Sequence, residues 1–290
     1  MNKVNKKNNQ DRILVCPGDL DLLQNIKRNR VIVKTDSISQ IGEIEKISTK
    51  ENEFVGLILS LKRAEIDLLL STEFCERIPI NLFTSTIGDF KDYYSLIHRL
   101  KTTKVKLFLS SGIKQNYTTL KILSSLQVPC GILLENDNEI DWERLTDLMV
   151  YSFYTRTNHA SIEPFHNIDK RYKQEDYIDF GDVYFENPKK YLHLDHKGNV
   201  ALSSKGLKEG MFIDWSFNSN LEELEKNERY EAEVNRWQRF FLERHPCSYC
   251  PGWKVCLGKF AEPTLQSGQC KIFFEELLEA CQFKATLAAE

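Results

Sequence analysis

A mostly parallel α/β fold is expected from the order in which apolar patterns follow one another along the 290 residues. Short runs rich in Ile, Val, Leu and Phe alternate with stretches whose apolar residues recur every three or four positions, the periods of buried strands and amphipathic helices. Strand–helix alternation needs right-handed crossovers and so a mostly parallel sheet, either open or partly closed. Apolar residues at 41% and aromatics at 11% suffice for a buried core, which a disorder-prone composition lacks.

Residues 1–11 are polar and rich in Asn and Lys, and read as a disordered leader. Residues 12–16 (RILVC), 31–33, 54–61 (FVGLILSL), 78–83 (IPINLF) and 105–110 (VKLFLS) read as buried strands, and 130–135 (CGILLE) and 161–165 (SIEPF) continue the series. Between them, a helix over 64–70 turns Ile66, Leu69 and Leu70 inward, and one over 90–100 places Phe90, Tyr94, Ile97 and His98 on one face. A third, over 141–154, opens with Asp141 as an acidic cap and aligns Trp142, Leu145, Leu148 and Met149. Residues 167–182 are polar, as in a linker or loop. From Tyr191 to Ser203 the pattern is a hairpin, in which Asp195 fixes the turn and Gly198 supplies a positive φ. A long, charge-laced helix over 221–244 carries Leu224, Tyr230, Val234, Trp237 and Phe241 on its apolar side. A terminal helix over 271–283 turns Phe273, Phe274, Leu277, Leu278 and Cys281 inward. No internal repeat is present, and low complexity is confined to the leader.

Acidic residues outnumber basic ones 42 to 39, for a net charge of −3. That balance argues against duplex nucleic acid or an anionic membrane as the main partner, since both select a positive field. No stretch reaches the roughly 18–20 uncharged apolar residues of a membrane span. The lysines of the leader have no apolar segment behind them, unlike a secretory signal. A cytoplasmic protein is the expectation.

The eight cysteines divide unevenly. Cys16, Cys75 and Cys130 are scattered, each beside apolar residues. Cys247, Cys250, Cys256 and Cys270 fall close together, and in a reducing compartment such a cluster more often binds metal than forms disulfides. A C-x2-C pair on a tight turn aims two thiolates at one point, and Pro251-Gly252 directly after it supplies the bend. Cys256 closes from the same loop, and Cys270 returns from outside it. Four thiolates suit either tetrahedral zinc or a 4Fe–4S cluster, and spacing alone does not choose between them.

C-x2-C-x5-C followed by a distant cysteine resembles the core of the SPASM domain, the C-terminal extension of many radical SAM enzymes that modify peptides. The strand–Asp-x-x-Gly-Asn–strand pattern of residues 191–203 resembles the same family's hairpin. Seven family cysteines carry two auxiliary 4Fe–4S clusters, and three positions depart from that pattern here. Ser203 stands five residues past Gly198, Phe260 stands four past Cys256, and no cysteine lies in 182–188. All three departures concern the first auxiliary cluster, so the resemblance implies one cluster, on Cys247, Cys250, Cys256 and Cys270. The family's radical chemistry needs a C-x3-C-x2-C motif after the first barrel strand. No two cysteines in residues 1–246 are closer than 55 positions, so S-adenosylmethionine cleavage is not expected.

Other constellations are weaker. His159, Glu163 and His166 have metal-like spacing, but Pro164 interrupts the helix that would align them. His193, Asp195 and His196 are better explained by the hairpin turn. Cys281 lies too far along the terminal helix from Cys270 to be a fifth ligand, about 16 Å by helical rise. Cys16 before Pro17-Gly18 has no neighbour that would lower its thiol pKa, and reads as a buried thiol. There is no P-loop, G-x-G-x-x-G, G-x-S-x-G or H-E-x-x-H motif, and no catalytic residue is assigned.

The resemblance thus implies a partial (β/α)6 barrel like that of radical SAM enzymes over residues 12–182, and a small metal-binding SPASM-like domain over 183–290. It implies an accessory or maturase role in modifying a ribosomally made peptide. The expected partners are a precursor peptide and a modifying enzyme, either an ATP-grasp ligase or a radical SAM maturase, with no nucleic acid and no membrane. The alternative is a zinc-stapled β/α binding or scaffold protein, in which Zn2+ only holds the tail's fold.

Overall fold

The computed structural model describes residues 12–134, 140–172, 177–219, 221–261 and 268–287. The leader 1–11 and the end of the strand expected over 130–135 lie outside the described residues. Strands β1 (Ile13–Pro17), β2 (Arg30–Thr35), β3 (Glu53–Ser60), β4 (Ile80–Thr84), β5 (Val105–Ser110), β6 (Cys130–Leu133), β7 (Ile162–Glu163), β8 (Tyr191–Leu194), β9 (Val200–Ala201) and β10 (Phe212–Ile213) are separated by helices except at the β8–β9 hairpin, and most pairings are parallel. The chain is α/β. No helix among the described residues is long and apolar enough to cross a membrane.

Two compact units divide the chain, and neither is one continuous stretch. Residues 1–59 and 185–236 form the first, residues 60–184 and 237–290 the second. β1–β3 share a unit with β8–β10, and the tail shares one with β4–β7, so both units draw residues from either side of position 182.

In the first unit the strand order is β10-β9-β8-β1-β2-β3. β1 pairs in parallel with β2 (Val15 opposite Ile32) and with β8 (Val15 opposite His193). A strand with partners on both sides and covered faces needs continuous apolar sequence, and Ile13, Leu14, Val15 and Cys16 are all buried. The β8–β9 hairpin is the expected one. Asp195 Oδ1 accepts from the backbone N–H groups of Lys197 and Asn199, both at 2.8 Å, and Gly198 has φ +83°. The pairing of β8 with β1 makes this hairpin part of the first unit's sheet.

His193, on β8, is 4% exposed. Its Nε2 lies 2.9 Å from the Phe185 carbonyl, which can only accept, so Nε2 carries the proton of the neutral ring. Burial, with Lys34 nearby, pulls its pKa down to about 4, against the partial support of that hydrogen bond. The unfolded chain protonates this ring below its ordinary pKa near 6.5 while the folded chain resists until about pH 4. His193 therefore leaves stability intact above about pH 6.5, and stability falls as the pH drops from there towards 4, by an amount on the order of 3 kcal/mol. Urea unfolding at pH 7.5 and 4.5 checks this: in His193→Gln the pH-dependent loss should shrink clearly, and an unchanged loss would assign the acid sensitivity elsewhere.

In the second unit β4, β5, β6 and β7 run parallel in that order. Leu82 lies opposite Leu107, Leu109 opposite Ile132, and Gly131 opposite Glu163. The helix Trp142–Tyr154 starts as expected, with Asp141 accepting from the Arg144 N–H, and buries Trp142, Leu145, Leu148 and Met149. The terminal helix, Gln269–Leu287, packs against it. The Trp142 ring stands 5.4 Å from Phe260 and 5.5 Å from Phe273, and Phe180 lies 5.6 Å from Phe274. This aromatic cluster is what places the tail in the second unit.

Three expectations about local structure change. The inward face of the helix Phe90–Thr102 is Tyr93, Leu96, Ile97 and Leu100, a complete three–four repeat, and Phe90 and Tyr94 are exposed. Residues 165–171 are helical (Phe165–Arg171), buried through Phe165 and Ile168, where a polar loop was expected from residue 167; residues 173–176 of that loop lie outside the described residues. The single helix over 221–244 is three: Leu221–Glu225, Glu228–Val234 and Arg236–Leu242. Asn227 ends the first and caps the second, accepting from the Tyr230 N–H at 3.1 Å, and Asn235 separates the second from the third.

Candidate metal centre

The cysteine loop begins in a 3-10 turn, Pro246–Tyr249. His245 Nδ1 accepts from the Cys247 N–H at 3.2 Å, and the Cys250 N–H returns to the Cys247 carbonyl at 3.1 Å, so the C-x2-C pair closes on itself. Pro251-Gly252 then turns the chain into the short helix Trp253–Cys256, with the Cys256 N–H donating to the Gly252 carbonyl at 2.9 Å. After Cys256 the backbone goes left-handed at Leu257 (φ +49°) and Gly258 (φ +76°). Glycine suits the second of these, since a Cβ there would also stand 2.6 Å from the Phe240 ring. Cys270 enters from the first turn of Gln269–Leu287, where the helix dipole favours a thiolate.

Cys247, Cys250, Cys256 and Cys270 line one small cavity, completed by Trp253, Gly258, Phe260, Phe274 and one charged residue, Lys271. All eight cysteines of the chain are free thiols. Among the described residues no group of three or more His, Cys, Asp or Glu side chains is arranged to hold a metal ion as it stands. The donor set nonetheless fits a soft metal group: four sulfurs, no carboxylate, and a shell that is aromatic apart from Gly258 and the cation Lys271.

The electrostatics of the cavity follow from its burial. Burial pushes the Cys247 thiol up, reinforced by Cys270 and Cys250. Burial likewise raises Cys270, with Cys250 adding to it. Cys256 is pushed up to about 11 by burial, although the backbone N–H groups of Phe260 and Gly258 donate to its sulfur and pull the other way. A thiolate here needs a cation to compensate its neighbours, and N–H···S bonds of this kind stabilise metal-bound sulfur.

The positions where this chain departs from the SPASM pattern have other occupations. Ser203 caps the helix Ser204–Lys208, its Oγ accepting from the Gly206 N–H at 2.9 Å. Phe260 is 3% exposed and packs on Trp142, Phe180 and Phe274. Cys16, Cys75 and Cys130 are each fully buried on separate elements, with thiols raised by burial. Cys281 faces the core, its thiol pushed up to about 12, and is not among the residues of the cavity.

The two histidine constellations do not assemble. Glu163 is buried and turns to Lys106 Nζ at 2.7 Å and to the Asn167 N–H at 3.1 Å. His159 and His166 instead line a separate cavity of about 300 Å³, together with Asp169 and Lys284, which the sequence reading did not single out. His193 points to the Phe185 carbonyl, Asp195 holds its turn, and His196 lies 3.4 Å from Asp19.

Comparison with protein-family models, curated proteins and solved structures finds no match.

Proposed function

We propose that this chain is an accessory or maturase component in the modification of a ribosomally made peptide, with one auxiliary-type 4Fe–4S cluster and without S-adenosylmethionine cleavage of its own. The observation that carries the reading is the convergence of Cys247, Cys250, Cys256 and Cys270 on one apolar cavity. In this reading β1–β7 and their helices are a degenerate radical-SAM-like (β/α)6 barrel, and the tail is a SPASM-like metal domain.

The four cysteines would hold the cluster as thiolates, which supplies a site for one-electron transfer or a rigid staple. With every iron ligated by protein, no coordination position is left for substrate. The chain's own contributions are then to fix the loop, to keep water from the sulfurs with Trp253, Phe260 and Phe274, and to donate N–H bonds from Gly258 and Phe260 to Cys256. A precursor peptide and a partner enzyme, ATP-grasp or radical SAM, would supply the chemistry. The same four-thiolate set also supports the second reading, a zinc-stapled scaffold protein.

The chain should be purified without oxygen and assayed for iron, sulfide and zinc. About four irons per chain are expected, lost in Cys250→Ala and kept in Cys281→Ala. Stoichiometric zinc without iron would replace the first reading by the second. Co-purification with a co-encoded maturase and its precursor peptide, followed by mass spectrometry of the peptide, tests the partner.

A further inference from the structure

The cavity of about 300 Å³ beside β7 lies outside the cysteine centre, and its walls carry a charge arrangement that is incomplete. Lys284, near the end of the terminal helix, is held with Nζ 4.7 Å above the face of the Phe153 ring. Its acidic neighbour is Asp169, at 3.4 Å. Charge-assisted bonds between an ammonium and a carboxylate close to about 2.7–2.9 Å, so Asp169 engages this ammonium only loosely. An ammonium has three donors, and neither the ring nor one long contact uses them up.

The polar groups around Lys284 extend the arrangement. Ser161 contributes a hydroxyl, and His166 an exposed ring. His159 Nδ1 lies 3.0 Å from the Ala160 carbonyl and 3.2 Å from the Ser124 hydroxyl, which itself donates to that carbonyl at 2.6 Å, so the geometry favours the neutral tautomer with its proton on Nδ1. Nε2 is then left with a lone pair, able to accept an N–H. Phe153 and Phe165 give the cavity an apolar side. A volume of this size is at the lower end of those that enclose small ligands.

We propose that this cavity binds a peptide carboxylate, with Lys284 as its anchoring cation, the Ser161 hydroxyl as a further donor, and His159 Nε2 accepting an adjacent amide N–H. Asp169 occupies part of Lys284 in the empty cavity, and an incoming carboxylate competes with it. The site needs neither cluster nor zinc, so its test stands apart from that of the cysteine centre.

Two probes carry the carboxylate in the two places a peptide offers it: N-acetylglycylglycine at the C-terminus, and N-acetylglutamate α-amide on a side chain. Each is titrated against the full chain by ligand-observed NMR, with N-acetylglutamine α-amide as the uncharged comparison. Saturable binding of at least one acid, and none of the amide, is expected, and the acid that binds identifies the source. Lys284→Gln should weaken binding at least tenfold, Lys284→Arg should retain most of it, and Asp169→Asn should tighten it several-fold by removing the competitor. Because Lys284→Arg keeps the charge and the packing, it separates a lost site from a lost fold. Failure of both acids to bind, or equal binding by wild type and a folded Lys284→Gln, overturns the proposal.

Discussion

Phe274→Ala is expected to destabilise the second unit by about 3–5 kcal/mol, the range for removing a fully buried aromatic ring. Phe274 is 1% exposed. Its ring meets Phe273 at 5.0 Å, Phe180 at 5.6 Å and Phe260 at 5.7 Å, and it also forms a wall of the cysteine cavity. Few neighbours can move into the space, because most are themselves rings fixed by one another. Urea unfolding of the metal-free chain measures the loss, and Tyr249→Ala, at a side chain 74% exposed beside Cys250, should change stability by no more than about 0.5 kcal/mol. A loss below about 1 kcal/mol at Phe274 would mean that the aromatic cluster does not hold the tail.

Gly252→Ala is the second large effect, and it comes from steric contact alone. Gly252 has φ −69°, which alanine adopts freely. A Cβ there would stand 2.4 Å from the Cβ of Phe274, an atom fixed to the backbone of the terminal helix. The loop and the helix must separate, at about 1–3 kcal/mol for overpacking, and Cys250 and Cys256 move relative to Cys270. Metal content after anaerobic purification should fall well below that of the wild type. Gly268→Ala is the contrast: φ is +68° but the space is open, so only the left-handed strain of about 1–2 kcal/mol applies and metal should be kept. If Gly252→Ala kept full metal content, close packing of the loop on the helix would not be what aligns the sulfurs.

Much of this was legible in the sequence, and the reasons differ by element. β5 was readable to the residue because Val105–Ser110 is a buried apolar run with polar punctuation at both ends. The helix Trp142–Tyr154 announced itself through its cap and its stripe. The helix Lys114–Ser125 did not, because its buried face includes Asn116, Thr119 and Ser124, polar residues that erase the apolar period. Asn227 and Asn235 broke a helix that charge and periodicity drew as continuous; a side chain able to bond the backbone locally outweighed the pattern. At the site, the four cysteines could be grouped by spacing because three of them share one short loop. Asp169 and Lys284 could not, since they are brought together only by the docking of the terminal helix, 115 positions apart in the chain.

The parallel contact of β1 with β8 joins Ile13 to Tyr191. During synthesis β1 emerges early and must wait, with one row of its amide and carbonyl groups unmatched, until nearly the whole of the other unit's strand region has left the ribosome. An apolar strand with a bare edge is a template for pairing with another nascent chain. Closing this contact has to await the return of a distant segment, and yields are expected to respond to holding chaperones and lowered growth temperature more than to any change at the cysteine loop.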